Sequence, residues 1–158
     1  MKSEKNISLN FDSKNHPDLK KYKIGIVVSE WNKDITENLL SGSINALTEQ
    51  GIKKENIFIQ WVPGSFELIY GSKVFSEKDF KAIIAIGCVI KGETDHYDYI
   101  CSSVSNGIME LNLKSSIPII FCVLTDHNKQ QSIDRSGGKY GNKGTESALA
   151  ALKMMSVK

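Results

Sequence analysis

Four short stretches of this chain gather side chains able to stack on a ring, carry a proton or hold an anion. They read Glu30-Trp31-Asn32, Pro63-Gly64-Ser65-Phe66-Glu67, Lys91-Gly92-Glu93-Thr94-Asp95-His96 and Thr125-Asp126-His127. Trp31 and Phe66 together could offer a stacking surface for a flat heterocycle, although a tryptophan beside a strand can equally belong to the core. An imidazole titrates near neutrality, so His96 is the best general acid–base candidate, with His127 weaker and His16 set apart in the N-terminal arm. A solvated surface histidine is the plain alternative. Gly92-Glu93-Thr94 resembles an anion seat, with backbone N–H groups at a helix start and a hydroxyl beside them. The Glu93 carboxylate would repel phosphate, so only its backbone could serve; a simple helix cap explains the same residues.

A fifth stretch, RSGGKYGNKGTE from Arg135 to Glu146, holds four glycines and three basic residues in an otherwise helical segment. Each glycine inside a helix costs about 1 kcal/mol relative to alanine, so the chain is expected to bend there. A P-loop is excluded: Ile133 stands where its first glycine belongs, and Lys143 precedes Gly144 instead of following it. No G-x-G-x-x-G occurs, and the acidic pair of a phosphoacceptor domain is missing after the first strand. Cys88, Cys101 and Cys122 form no C-x-x-C pair. They read as reduced, buried thiols, and a metal site would need more ligands near one another than these supply.

The elements that must position these groups follow from hydrophobic period. Lys23–Val28, Ile57–Val62, Ala82–Ile90 and Pro118–Leu124 are short apolar, β-branched runs and read as strands. Ile35, Leu39, Ile44 and Leu47 recur at near-helical spacing, with Asn32 as expected cap and Gly51 as stop. Further helices are expected over Ser65 to about Phe75, Asp95 to about Leu113, Lys129 to Ser136 and Asn142 to Met155. Alternating strands and helices imply right-handed crossovers and a parallel sheet covered on both faces. Ligands then bind beyond the carboxyl ends of the strands, where the four reactive stretches fall.

Composition agrees with one domain of 158 residues, 1–158, whose first 21 residues form a polar arm. The chain is 41% hydrophobic and 24% charged, with net charge +2 from 20 basic and 18 acidic residues. That balance argues against nucleic acid as a partner. Apolar runs stay near about eight residues, short of the roughly 20 a membrane helix needs. The polar N-terminus has no apolar signal core, which predicts a cytoplasmic protein.

VPGSFEL (62–68), GCVIKGETDHYDY (87–99) and RSGGKYGNKG (135–144), in this order and spacing, resemble the 6,7-dimethyl-8-ribityllumazine synthase family from about Tyr22 to Met155. The resemblance implies a flavodoxin-like, three-layer α/β/α sandwich with a four-stranded parallel sheet. It implies condensation of 5-amino-6-(D-ribitylamino)uracil with 3,4-dihydroxy-2-butanone 4-phosphate, in the penultimate step of riboflavin biosynthesis, with no cofactor and no metal. Carried over by position, Trp31 would stack on the pyrimidine; Ser65, Phe66 and Glu67 would hold that substrate; and backbone groups of Cys88, Val89 and Ile90 would read its edge. Glu93 and Thr94 would seat the phosphate and His96 would move protons. Phe121 and Arg135 would reach in from an adjacent subunit, Arg135 pairing with phosphate and Lys139 adding charge.

The family's sites complete themselves within a homopentamer, and the short form of the glycine-rich kink goes with twelve pentamers in an icosahedral shell; riboflavin synthase is a possible partner. Cys122 departs from a common glycine and Gln130 from a common glutamate. The alternation Ile7-Ser8-Leu9-Asn10-Phe11 could form a short strand on a neighbour's sheet. Two rivals are a flavin-storage protein on this scaffold, which could dispense with His96 and Arg135, and a riboflavin synthase, which has no phosphate to bind.

Overall fold

The apolar runs at 24–29 and 82–90 bury both their faces, so they form the centre of a sheet flanked by helices on each side, whereas the run at 57–62 stays largely exposed at its edge. The computed structural model describes residues 9–157. Strands β1 (Ile24–Ser29), β2 (Ile57–Val62), β3 (Ala82–Ile90) and β4 (Ile119–Asp126) form one sheet in the order β2-β1-β3-β4. Every neighbouring pair is parallel. Helices α1 (Lys33–Glu49) and α5 (Lys143–Met154) cover one face, and α2 (Leu68–Ser76) and α3 (His96–Lys114) cover the other. Between β4 and α5 stand α4 (Lys129–Arg135) and a hairpin of β5 (Ser136–Gly138) and β6 (Gly141–Asn142). The chain thus has the three-layer α/β/α, flavodoxin-like fold.

Two cores form because side chains alternate across each strand. Ile24, Ile26 and Val28 of β1 join Ile84, Ile86 and Cys88 of β3 against Leu39, Leu47 and Leu152 of the α1/α5 layer. Val27, Ile83 and Ala85 point the opposite way, onto Leu68, Phe75, Val104 and Ile108. Each fully buried leucine or isoleucine contributes about 1.5–3 kcal/mol relative to exposure.

Register determines what lies open at the strand ends. β1 pairs with β3 only from Ile24↔Ala82 to Val28↔Ile86, whereas β3 runs on beside β4 to Ile90↔Asp126. β3 therefore overhangs β1. This overhang also carries β4 to Asp126, two residues past the expected end, because Thr125 and Asp126 find partners in Val89 and Ile90.

Two local expectations are corrected. α2 begins at Leu68 and not at Ser65, since Ser65–Glu67 form a turn in which the Leu68 amide donates to the Ser65 carbonyl at 3.2 Å. Gly87 permits this turn to lie on β3: a Cβ there would meet Ser65 Oγ at 2.6 Å. Asn32 precedes α1 but does not cap it with its side chain; its backbone is left-handed (φ 57°), and its side chain is engaged elsewhere. Asparagine is among the few non-glycine residues that adopt this conformation readily.

Of the expected N-terminal strand, Ile7 and Ser8 lie outside the described residues, and Leu9–Phe11 have no regular structure. Short 3-10 turns follow at Ser13–Asn15 and Pro17–Lys21, and Leu19 is buried in the α1/α5 core.

The glycine-rich stretch does bend, as a hairpin pinned to α1. Gly137 and Gly141 take positive φ (115° and 78°). The Asn142 side chain caps α5, its Oδ1 accepting from the Gly144 amide at 2.8 Å, while its Nδ2 donates to the Asn38 carbonyl of α1 at 3.0 Å. Ser43 Oγ of α1 donates to the Gly144 carbonyl at 2.9 Å. Gly144 lies so close to α1 that a Cβ would collide with the Leu39 carbonyl. Cys122 packs beneath this junction, its thiol directed at the Lys143 carbonyl at 3.6 Å. Gly144→Ala is expected to cost at least the roughly 1–3 kcal/mol of ordinary overpacking, because the obstacle is backbone. Urea unfolding measures this, and an unchanged midpoint would show that α1 and α5 are not locked together here.

Candidate active site

The overhang of β3 leaves the Cys88 carbonyl without a β1 partner, and Asn32 supplies one: its Nδ2 donates to that oxygen at 3.0 Å. This bond ties the exit of β1 to β3. The Glu30 and Trp31 amides continue the β1–β2 ladder, donating to the Val62 and Pro63 carbonyls at 2.8 and 3.1 Å. Trp31 is thereby set above the Pro63–Glu67 turn with 74% of its surface exposed, which excludes a core role. Phe66, 51% exposed, joins it on the rim of the same cleft. An exposed aromatic pair at adjacent strand ends is unsatisfied apolar surface suited to a ring.

The cleft has a volume of about 360 Å³. Ser65 and Glu67 line one side, Val89 and Ile90 the floor, and Gly92, Thr94, His96 and Tyr97 the far wall. Ser65 is buried, and its Oγ makes no hydrogen bond among the described residues. A buried hydroxyl without a partner is costly unless a ligand or water satisfies it. Thr94 and His96 sit where the 19-residue α3 begins, and Thr94 Oγ1 accepts from the His96 amide at 3.4 Å. The amino end of a long helix presents amides and a partial positive charge to an anion. Glu93 is exposed, and neither it nor Cys88 lines the cleft; the Cys88 carbonyl is taken by Asn32.

Arg135, Phe121 and Lys139 are elsewhere. Phe121 and Arg135 line a separate, larger groove of about 640 Å³ along the outer edge of β4, together with His127, Lys143 and Glu146. The two hollows share no lining residue. Tyr97 of the cleft and His127 of the groove meet edge-on, with ring centroids 6.3 Å apart. Lys139 is exposed on the hairpin, and its Nζ lies 5.2 Å from the Tyr140 ring centre, which the Arg135 guanidinium also approaches, at 5.0 Å. One chain therefore assembles the aromatic, hydroxyl and histidine groups in the cleft and presents its arginine to a different surface.

None of the thiols is suited to nucleophilic chemistry near neutral pH. Burial pushes Cys88 up to about 11 against the opposing bond with Ser132, and pushes Cys122 to about 11 as well. Burial also raises Cys101 and the Tyr97 phenol. Among the described residues, no three His, Cys, Asp or Glu side chains converge as a metal site would require. No helix among them is long and apolar enough to cross a membrane.

Sequence reasoning gave Asn32 only a capping role and Asp126 none. The Asn32 bond depends on an overhang that strand lengths alone do not reveal. The Asn32 linkage yields a direct test. Asn32→Ala loses the bond to Cys88 and places alanine at positive φ, for an expected cost of about 1–3 kcal/mol. Asn32→Gly should recover the backbone part and not the bond. Equal unfolding free energies for the two variants would remove backbone strain from the account.

Comparison with known proteins bears directly on this geometry. A family model described as 6,7-dimethyl-8-ribityllumazine synthase matches residues 21–158. A protein of that name from Flavobacterium psychrophilum is 56% identical over 154 residues, covering 96% of this chain and 80% of its own length. Namesakes from Christiangramia forsetii and Parabacteroides distasonis are each 53% identical, covering 98% and 92% of this chain and 93% and 91% of their own. With both the family model and these relatives spanning nearly all of it, the chain belongs to the 6,7-dimethyl-8-ribityllumazine synthase family.

Proposed function

We propose that the chain condenses 5-amino-6-(D-ribitylamino)uracil with 3,4-dihydroxy-2-butanone 4-phosphate to give 6,7-dimethyl-8-ribityllumazine. The observation that carries this reading is one cleft holding an exposed aromatic pair, an unpartnered buried hydroxyl and, at the start of a long helix, Thr94 and His96. The pyrimidine stacks between Trp31 and Phe66, with Ser65 Oγ and the backbone of 88–90 on its polar edge and Glu67 accepting from ribityl hydroxyls. The ketone phosphate lies at the α3 terminus, against the amides of 93–94 and the Thr94 hydroxyl. The 5-amino group attacks the ketone and expels water to form a Schiff base, phosphate is eliminated, and ring closure by the ribitylamino nitrogen with loss of a second water completes the lumazine. His96, beside the phosphate seat, takes and returns the protons of these steps. No bond to the protein is formed, in keeping with the Cys88 and Cys122 thiols held neutral by burial.

The site is completed by a second copy. Arg135 and Phe121 lie on the β4 edge, outside the chain's own cleft, and they serve the cleft of the next subunit, with Lys139 nearby. Exposed Tyr99, Met109 and Leu113 on α3, with Phe58 and Ile59 on the β2 edge, supply apolar surface for such packing. The assembly is a cytoplasmic pentamer, and the short hairpin at 136–142 allows twelve pentamers to close into a shell.

The purified protein is expected to generate lumazine absorbance from the two substrates. His96→Ala should slow turnover by about 10²-fold while leaving pyrimidine binding intact; an unchanged rate would remove the imidazole from the mechanism. Arg135→Ala removes a charge-assisted hydrogen bond worth about 1.5–3 kcal/mol, so KM for the phosphorylated ketone should rise by one to two decades and that for the pyrimidine hardly at all. Mixing His96→Ala with Arg135→Ala subunits under conditions of subunit exchange, at a ketone concentration too low for either variant alone, tests the shared site. Hybrid rings should regain about a quarter of wild-type sites if subunits mix at random, and no recovery would place Arg135 in its own subunit's chemistry or none. Electron microscopy decides between free pentamers and closed shells.

A further inference from the structure

The arginine of the β4 groove has a carboxylate behind it that the proposed reaction does not use. Asp126 ends β4 and is buried, with 7% of its surface exposed. Its Oδ2 accepts from Ser132 Oγ at 2.8 Å, and Ser132 Oγ in turn lies 3.4 Å from the Cys88 thiol. Ser132 is itself fully buried, so this side of the carboxylate is fixed. Oδ1 faces Arg135, 4.0 Å from Nε. Two further contacts hold the guanidinium: a terminal nitrogen donates to the Gln131 carbonyl at 3.0 Å, and the Tyr140 ring lies 5.0 Å below its carbon.

We propose that Asp126 is a positioning residue for phosphate recognition, holding the inner edge of the Arg135 guanidinium so that its outer nitrogens are presented as a fixed fork. The inference rests on the proposed role of Arg135. An arginine fork pairs bidentately only in one plane, and a side chain ordered in advance loses less freedom on binding. A carboxylate so close also opposes the approach of an anion. Orientation prevails here because Asp126 faces the Nε side and is itself held by a buried hydroxyl, while the Gln131 carbonyl takes one hydrogen of a terminal nitrogen and the arginine lines the groove. The Cys88 and Ser132 contacts tie the arrangement to β3, so the arginine is aligned relative to the sheet and not merely to its own short helix.

A double-mutant cycle with Asp126→Asn and Arg135→Ala tests this, reading KM for the ketone phosphate and the inhibition constant of inorganic phosphate. Asp126→Asn alone should raise both about three- to tenfold, with kcat and the KM for the pyrimidine changed less than about twofold. In the Arg135→Ala background the same substitution should have no further effect. Ser132→Ala, which keeps the carboxylate but frees it, should shift phosphate affinity in the same direction by less. Tighter phosphate binding by Asp126→Asn would overturn the proposal, showing that the carboxylate competes for the arginine. An equal Asp126→Asn effect in both backgrounds, or equal changes for both substrates, would overturn it as well. If Arg135→Ala by itself leaves the ketone KM unmoved, the role assigned to Arg135 has failed; if it raises KM while Asp126→Asn does nothing, only the present inference has.

Discussion

The chain leaves β1 toward one face of the sheet and leaves β3 toward the other, so nothing covers the ground between their carboxyl ends. This parting at a topological switch point is the constraint on which the cleft depends. β3 then runs four residues beyond its last pairing with β1, and its exposed edge is answered by the Asn32 side chain. That one hydrogen bond closes the gap at the base without filling it. Trp31, fixed through the backbone to Pro63, and the start of α3 after Ile90 are both placed by the same divergence.

A second dependency runs through the hairpin between α4 and α5. A single continuous helix would carry Arg135 along the surface with no fixed relation to β4. The glycines at 137 and 141 let the chain reverse, and Asn142 both starts α5 and grips α1. Arg135 is left at the end of a seven-residue helix, braced by Asp126, Gln131 and Tyr140. Such bracing orders a long side chain before any ligand arrives, which favours recognition of a planar-fork partner.

The two hollows differ in a way that favours association. The cleft is rich in stacking surface, hydroxyls and helix amides but contains no arginine, whereas the β4 groove holds Arg135, His127 and Lys143 beside exposed Phe121. Each has what the other lacks. A heterologous contact joining groove to cleft is repeatable around a ring, because each subunit keeps its own cleft free for the next groove. The exposed apolar residues on α3 and the β2 edge are the surface that such rings would cover.

Much of this was legible in the sequence because the signals are local. Short apolar, β-branched runs, helical spacing from Ile35 to Leu47 and the glycines after Arg135 depend on neighbours a few residues away, and each gave the element found there. The stretches after β1, β2 and β3 marked the cleft for the same reason, since strand ends in a parallel sheet share one side of the molecule, whereas Thr125–His127 at the end of β4 fell in the β4 groove. Only tertiary structure decided the rest. Whether Trp31 faces core or solvent, why Asn32 turns from its own helix to Cys88, and that Asp126 stands behind Arg135 all depend on register among β1, β2, β3 and β4. Register is set by packing of residues far apart in the chain, such as Ile24 with Ala82 and Ile83 with Ile119, and side-chain types along one strand do not encode it.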